Sequence, residues 1–149
     1  MDTIPIDAEI RFVKTHPDAV LPYKAYASDN CFDIVAIEDT TIPSRGSAVV
    51  PIGLTVAYIT PGFGFSYKPR SGLGFKAGLQ PHLGEIDNGY RGDLGVKLYN
   101  FSDKDYTVKK GERAAQFKIE RVYNTSVSLV DTVTPADRGD NGLGSTDKK

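Results

Sequence analysis

Gly84-Glu85-Ile86-Asp87-Asn88-Gly89-Tyr90-Arg91-Gly92-Asp93 is the stretch on which the reading of this chain turns. Glycine stands at both ends and in the middle, where backbone angles closed to other residues become accessible. Asn88-Gly89 is a strong two-residue turn signal. The pattern predicts a tight β-hairpin, with Asp87 entering the turn and Tyr90-Arg91 leaving it. A short rigid hairpin holds side chains in place, which suits a site. It equally suits an ordinary surface hairpin whose charges face water, and the ten residues alone leave both readings open.

Outward from this stretch the chain alternates like half-buried strands. Ile10–Lys14 and Phe63–Tyr67 carry the period of two, and Leu94–Asn100 and Tyr106–Val108 also read as strands. Ala48–Ile52 and Leu54–Ile59 are expected as two strands joined about Gly53. Ala114–Val122 is expected as another, and Val127–Val130 as a short last one. Thr41–Gly46 reads as a turn. No segment carries helical periodicity for more than about two turns. Short strands with turn signals roughly every eight to twelve residues predict an all-β sandwich or closed barrel.

A length of 149 residues allows one domain with a real core. The expected division is a β domain over 1–134 and a flexible glycine-rich arm over 135–149. A net charge of −1 argues against a general nucleic-acid or membrane-surface binder. One cysteine, Cys31, permits no internal disulfide, so the cytoplasm, or the nucleus of a eukaryotic host, is the expected compartment. Met1 to Glu9 has no apolar run of a secretory signal, and nothing is long and apolar enough to span a bilayer. His16 and His82 are too far apart in sequence to suggest a metal pair.

Two further stretches carry chemistry. Pro69-Arg70-Ser71-Gly72-Leu73-Gly74 follows a strand with a cation, a hydroxyl and glycines. Such a turn can bind an anion through backbone N–H groups, a hydroxyl and a guanidinium fork. Asp33 lies inside the apolar run Cys31–Ile37, where an acid is costly unless satisfied. It is either a strand-edge residue bonded to the backbone or a functional carboxylate. The tail from Asp137 to Thr146 is either a disordered terminus or a loop that folds over phosphate.

Five segments then fall in a familiar order. Cys31-Phe32-Asp33-Ile34-Val35-Ala36, Pro69-Arg70-Ser71-Gly72-Leu73 and Gly84 to Gly92 are the first three. Gly111-Glu112-Arg113-Ala114-Ala115-Gln116 and Arg138 to Thr146 complete the set. Together they resemble the five motifs of the trimeric deoxyuridine triphosphatases, the dUTPases. The resemblance implies an all-β, distorted jelly-roll protomer (a β-clip-like barrel) and a homotrimer. It implies active sites at subunit interfaces, closed by the C-terminal arm. The implied reaction is dUTP plus water to dUMP plus pyrophosphate with Mg²⁺, limiting uracil in DNA and supplying dUMP.

By the same resemblance, Asp87 is the catalytic base and Asp33 an outer-shell carboxylate reaching the metal through water. Arg70, Ser71, Gly72 and Gln116 contact phosphates, and Arg138 the γ-phosphate. Backbone groups from Gly84, Glu85 and Ile86 to Tyr90 read the uracil, and Tyr90 packs under the deoxyribose. Leu143, Gly144 and Ser145 close over the nucleotide. Leu143 stands where the family usually has an aromatic, Pro81 where it commonly has Asn, and Asp147 where it often has Gly. Two rivals remain. A dCTP deaminase shares parts of these motifs, but has a glutamate where this chain has Lys97. A regulatory protein would use the same fold to grip a partner through Glu38-Asp39, Ser102–Asp105 or the tail.

Overall fold

The computed structural model describes residues 5–144, whose backbone is almost entirely strand and loop. Strand β1 (Ile10–Lys14) forms where the alternation predicts it. Phe32–Val35 is β2, Thr40–Ile42 β3, Ser47–Ile59 β4 and Phe63–Lys68 β5. Helix α1 (Ser71–Ala77) follows, then β6 (Leu79–Pro81) and β7 (Glu85–Ile86). Asp93–Asn100 is β8, Tyr106–Val108 β9 and Arg113–Arg121 β10.

One sheet runs β1-β4-β8-β6, a second β2-β10-β5-β7, and β3 and β9 form a small third. The pairings between named strands are all antiparallel. The result is the expected all-β, jelly-roll-like architecture. Val50, Val56, Val96 and Val108 are fully buried in the core. Phe117 stacks on Phe32 at 5.2 Å between centroids and meets Phe65 at 4.6 Å. Each such side chain contributes roughly 1.5–3 kcal/mol through the apolar surface it removes from water.

The structure departs from the sequence expectations in five places. The two strands expected around Gly53 are one strand, because Gly53 takes a φ of 68° and absorbs an irregularity without ending the pairing. A side chain could not stand there, since its Cβ would lie 2.8 Å from that of His16. Thr40–Ile42 is a strand, and the turn begins only after it. Ser71–Ala77 is helical despite two internal glycines, and Gly78 closes it in the left-handed conformation. Val127–Val130 forms no strand, and its residues are exposed, with no sheet edge paired to them.

The fifth departure concerns the opening stretch, which is not a hairpin. Strand β7 pairs with β5 in one sheet, whereas β8 pairs with β4 and β6 in the other. The Asp87–Gly92 segment therefore crosses between sheets. The Tyr90 N–H donates to the Asp87 carbonyl at 3.0 Å, closing a β-turn. Neither Asn88 nor Gly89 has the positive φ of the turn that joins paired strands. A turn without that twist splays its strands, as this crossover requires.

Candidate functional site

Asp33 is 7% exposed on β2, so its charge needs compensation. Two guanidinium groups provide it. Arg70 Nη1 donates to Asp33 Oδ1, and Arg113 Nη1 lies 3.4 Å from Oδ2. The strand-edge reading covers only part of this: Asp33 does pair its backbone with Tyr23, but its carboxylate also meets two cations. Arg70 stands at the end of β5, on the N-cap of α1, and Arg113 starts β10. The register that sets Asp33 opposite Gln116 thus gathers side chains from three motifs. Gln116 Nε2 donates to the Pro69 carbonyl at 2.7 Å, fixing the residue before Arg70.

Arg70, Gly72, Leu73, Lys76, Tyr106 and Arg113 are among the residues lining a cleft of about 430 Å³. Ser71 and Gly72 are exposed beside it. Their N–H groups belong to the first turn of α1, where the helix itself supplies no acceptor. Glu112, also in the lining, is spent elsewhere: Tyr106 Oη donates to it at 2.5 Å and the Lys109 N–H at 3.0 Å. Burial, together with that bond and the Glu112 charge, pushes the Tyr106 phenol up to about 12. The cleft therefore keeps an excess of positive charge, which suits a polyanion.

Asp87 is different. It is exposed, and among the described residues no hydrogen bond or ion pair reaches its carboxylate. The turn that carries it is closed by its neighbours. Arg91 Nη1 donates to the carbonyls of Asn88 at 2.7 Å and Tyr90 at 2.9 Å. Tyr90 Oη donates to the Asp93 carbonyl at 3.1 Å, laying the ring over Gly92. A Cβ at position 92 would overlap that hydroxyl, so the ring lies there only because position 92 is glycine. Glu85, Ile86, Asp87 and Asn88 line a second cleft of about 340 Å³ with Gly64 and Tyr123.

The expected site residues thus fall into two groups within one protomer. Asp33, Arg70, Ser71, Gly72 and Gln116 come together, and so do Gly84, Glu85, Ile86, Asp87 and Tyr90. The two clefts share no lining residue. Arg138 and Leu143 are exposed on the segment after β10, and Arg138 Nε donates to the Asn141 carbonyl at 2.5 Å. Gly144 is exposed as well. Ser145 and Thr146 lie outside the described residues. Lys97 extends from β8 over the Tyr99 ring at 5.5 Å, as a cation, where a deaminase needs an acid.

Sequence reasoning missed Arg113 and Asn88. Arg113 lies inside a quoted motif, and its spacing of three from Gln116 places it at the strand's start, beyond the period-two face that Gln116 shares. Asn88 reads as a turn former, and nothing in the sequence shows that its side-chain amide reaches the Ile59, Thr60 and Phe63 carbonyls.

A dUTPase family model matches residues 18–147. The deoxyuridine 5'-triphosphate nucleotidohydrolase of Solanum lycopersicum is 38% identical over 136 residues, covering 91% of this chain and 80% of that protein. Among solved structures, the dUTPase of Staphylococcus bacteriophage 80alpha with dUPNHPP superposes with a TM-score of 0.84 at 23% identity. The match covers 92% of this chain and 97% of that one, a protein described as controlling transfer of virulence genes by a proto-oncogenic G protein-like mechanism. A mutant dUTPase of phage phi11 of S. aureus, described with a structural Mg(II) ion, gives 0.75 at 22% identity, over 83% and 97% of the two chains. At those identities the two phage proteins speak for the fold alone.

Proposed function

Since the chain belongs to the dUTPase family, we propose that it hydrolyses dUTP to dUMP and pyrophosphate. The observation that carries this reading is the contrast within the site: a cationic cleft whose acids are already engaged, and an exposed carboxylate with no partner. The first suits a triphosphate and the second a general base.

Asp87 accepts a proton from a water that attacks the α-phosphorus in line. The new P–O bond forms as the bond to the α–β bridging oxygen breaks, and pyrophosphate leaves. Arg70 and Arg113, oriented by Asp33, take up charge on the phosphate oxygens, with Ser71, Gly72 and Gln116 beside them. Catalysis of this kind is largely positioning and electrostatic stabilisation. Backbone groups from Gly84 to Tyr90 match the edge of uracil, and the Tyr90 ring excludes a 2′-hydroxyl. A missing polar match rejects a wrong base far more strongly than a missing methyl contact.

Among the described residues no three His, Cys, Asp or Glu side chains converge on one metal position. The nucleotide's own oxygens would therefore hold most of a Mg²⁺, and Asp33, between Arg70 and Arg113, would be the carboxylate to reach it through water. A Mg²⁺ so held would supply positive charge against the leaving pyrophosphate.

Because the two clefts are separate in one protomer, the reading calls for a homotrimer in which Asp87 of one copy faces Arg70 of another. Arg138, Leu143, Gly144 and Ser145 then close over the nucleotide. The cytoplasm or nucleus is the matching compartment; no helix among the described residues is long and apolar enough to cross a membrane. Pyrophosphate release from dUTP, UTP, dTTP and dCTP, each with and without Mg²⁺, tests the assignment. Turnover confined to dUTP and dependent on Mg²⁺ is expected; ammonia release from dCTP would refute it. A second reading, a hold on a regulatory partner, draws on the exposed Val127, Leu129 and Val133.

A further inference from the structure

We propose that Asn88 is a positioning residue for Asp87, fixing the catalytic turn to the protein body through its side-chain amide. The inference rests on the reading of Asp87 as the base. Asn88 Nδ2 lies 3.2 Å from the Ile59 carbonyl, 3.1 Å from that of Thr60 and 2.9 Å from that of Phe63. An amide nitrogen has two protons, so three acceptors mean that one proton is shared. The orientation is unambiguous, because the amide oxygen would face three carbonyl oxygens in its place.

The need for such a clamp follows from the weak attachment of the turn. Strand β7 is two residues long and is held by only two register pairs, Phe65 with Ile86 and Ser66 with Glu85. Pairing resumes only at Asp93, where β8 begins. The bonds of Arg91, of the Tyr90 hydroxyl and of the Tyr90 N–H all stay within the Asp87–Asp93 stretch. They stiffen it but cannot set its position against the body. At its far end the Thr55 hydroxyl donates to the Gly92 carbonyl at 3.2 Å. At the Asp87 end that task falls to Asn88.

The anchor is itself rigid. Thr60 directly follows β4, and its carbonyl also accepts the Phe63 N–H at 3.2 Å across the Pro61-Gly62 turn. Its own N–H donates to the Glu9 carbonyl, and its hydroxyl accepts the Glu9 N–H at 2.8 Å. Gly64 lets the turn approach, since a Cβ there would stand 3.0 Å from the Ile86 carbonyl. Asp87, adjacent to the clamped residue, is thus held against the joint of both sheets. A displacement of the order of 1 Å at a reacting group can cost about 10²-fold in rate.

The full chain, with dUTP and Mg²⁺, carries the test. Asn88→Ala is expected to lower kcat by about tenfold or more, and by more than it raises KM, at a temperature where circular dichroism shows it folded. Asn88→Asp faces the three carbonyls as a repelled carboxylate, and as a protonated acid it can donate one bond. Its kcat relative to the unaltered enzyme is therefore expected to rise as pH falls from about 8 to about 5. A folded Asn88→Ala with kcat within about twofold of the unaltered enzyme overturns the clamp, as does a flat Asn88→Asp ratio across that range. Asp87→Asn, measured beside them, separates the two failures. If it abolishes turnover while Asn88→Ala does not, only the clamp is wrong; if it leaves turnover intact, the base assignment falls and takes the clamp with it.

Discussion

Asp33 and Asp87 are the same side chain in opposite situations. The first is buried and shared between Arg70 and Arg113; the second is exposed, with no partner among the described residues. A carboxylate held between two guanidinium groups organises charge for something else to use. A carboxylate held out on a braced turn keeps its lone pairs for water. The difference teaches that burial and pairing, not the residue type, divide the work of preorganisation from the work of proton transfer.

Substitution by the isosteric amide should split the two. Asp87→Asn removes the proposed base and no packing, so kcat for dUTP is expected to fall by about 10³-fold. Its denaturation midpoint should stay put, because an exposed side chain without partners contributes little to stability. Asp33→Asn should do the reverse first: it leaves two guanidinium groups facing a neutral amide. A loss of about 2 kcal/mol in urea unfolding is expected, below the cost of a fully buried pair because both guanidinium groups reach water. Equal stability losses in the two variants would erase the distinction.

The smallest effect sharpens the comparison from a third site. Tyr67, 7% exposed, has a hydroxyl with no hydrogen-bond partner in the structure. Burial first, and then nearby Tyr90, push its phenol up to about 12 from the ordinary 10.0. The unfolded chain therefore releases this proton before the folded one does. Stability from this group is complete below about pH 10 and is lost as pH rises towards about 12. Tyr67→Phe removes an unpaired buried hydroxyl, so it is expected to raise the midpoint at neutral pH slightly and to make the alkaline decline shallower.

Strands whose alternation is uninterrupted were readable from the sequence, and β1 and β9 have the limits that their pattern sets. Reading failed where a local signal met a tertiary demand. Asn88-Gly89 signals a hairpin, but β7 and β8 serve different sheets, a fact that no window of ten residues contains. Gly53 signals a break, but His16 and Ala19 pack where its side chain would be, and the strand continues. Val127–Val130 has strand-forming residues and no neighbouring edge. For the site, residue types and order carried Asp33, Arg70 and Gln116 to one place. The pairing of Asp33 with Arg113 could not be read, because it depends on the register of β2 against β10.

The ring of Tyr90 lies where it does because position 92 has no side chain. A single methyl group at that position would act as a shim, tilting the ring outward with no change to residue 90 itself. On the sugar-gating role proposed for Tyr90, the breadth of sugars admitted would then drift through a change at position 92.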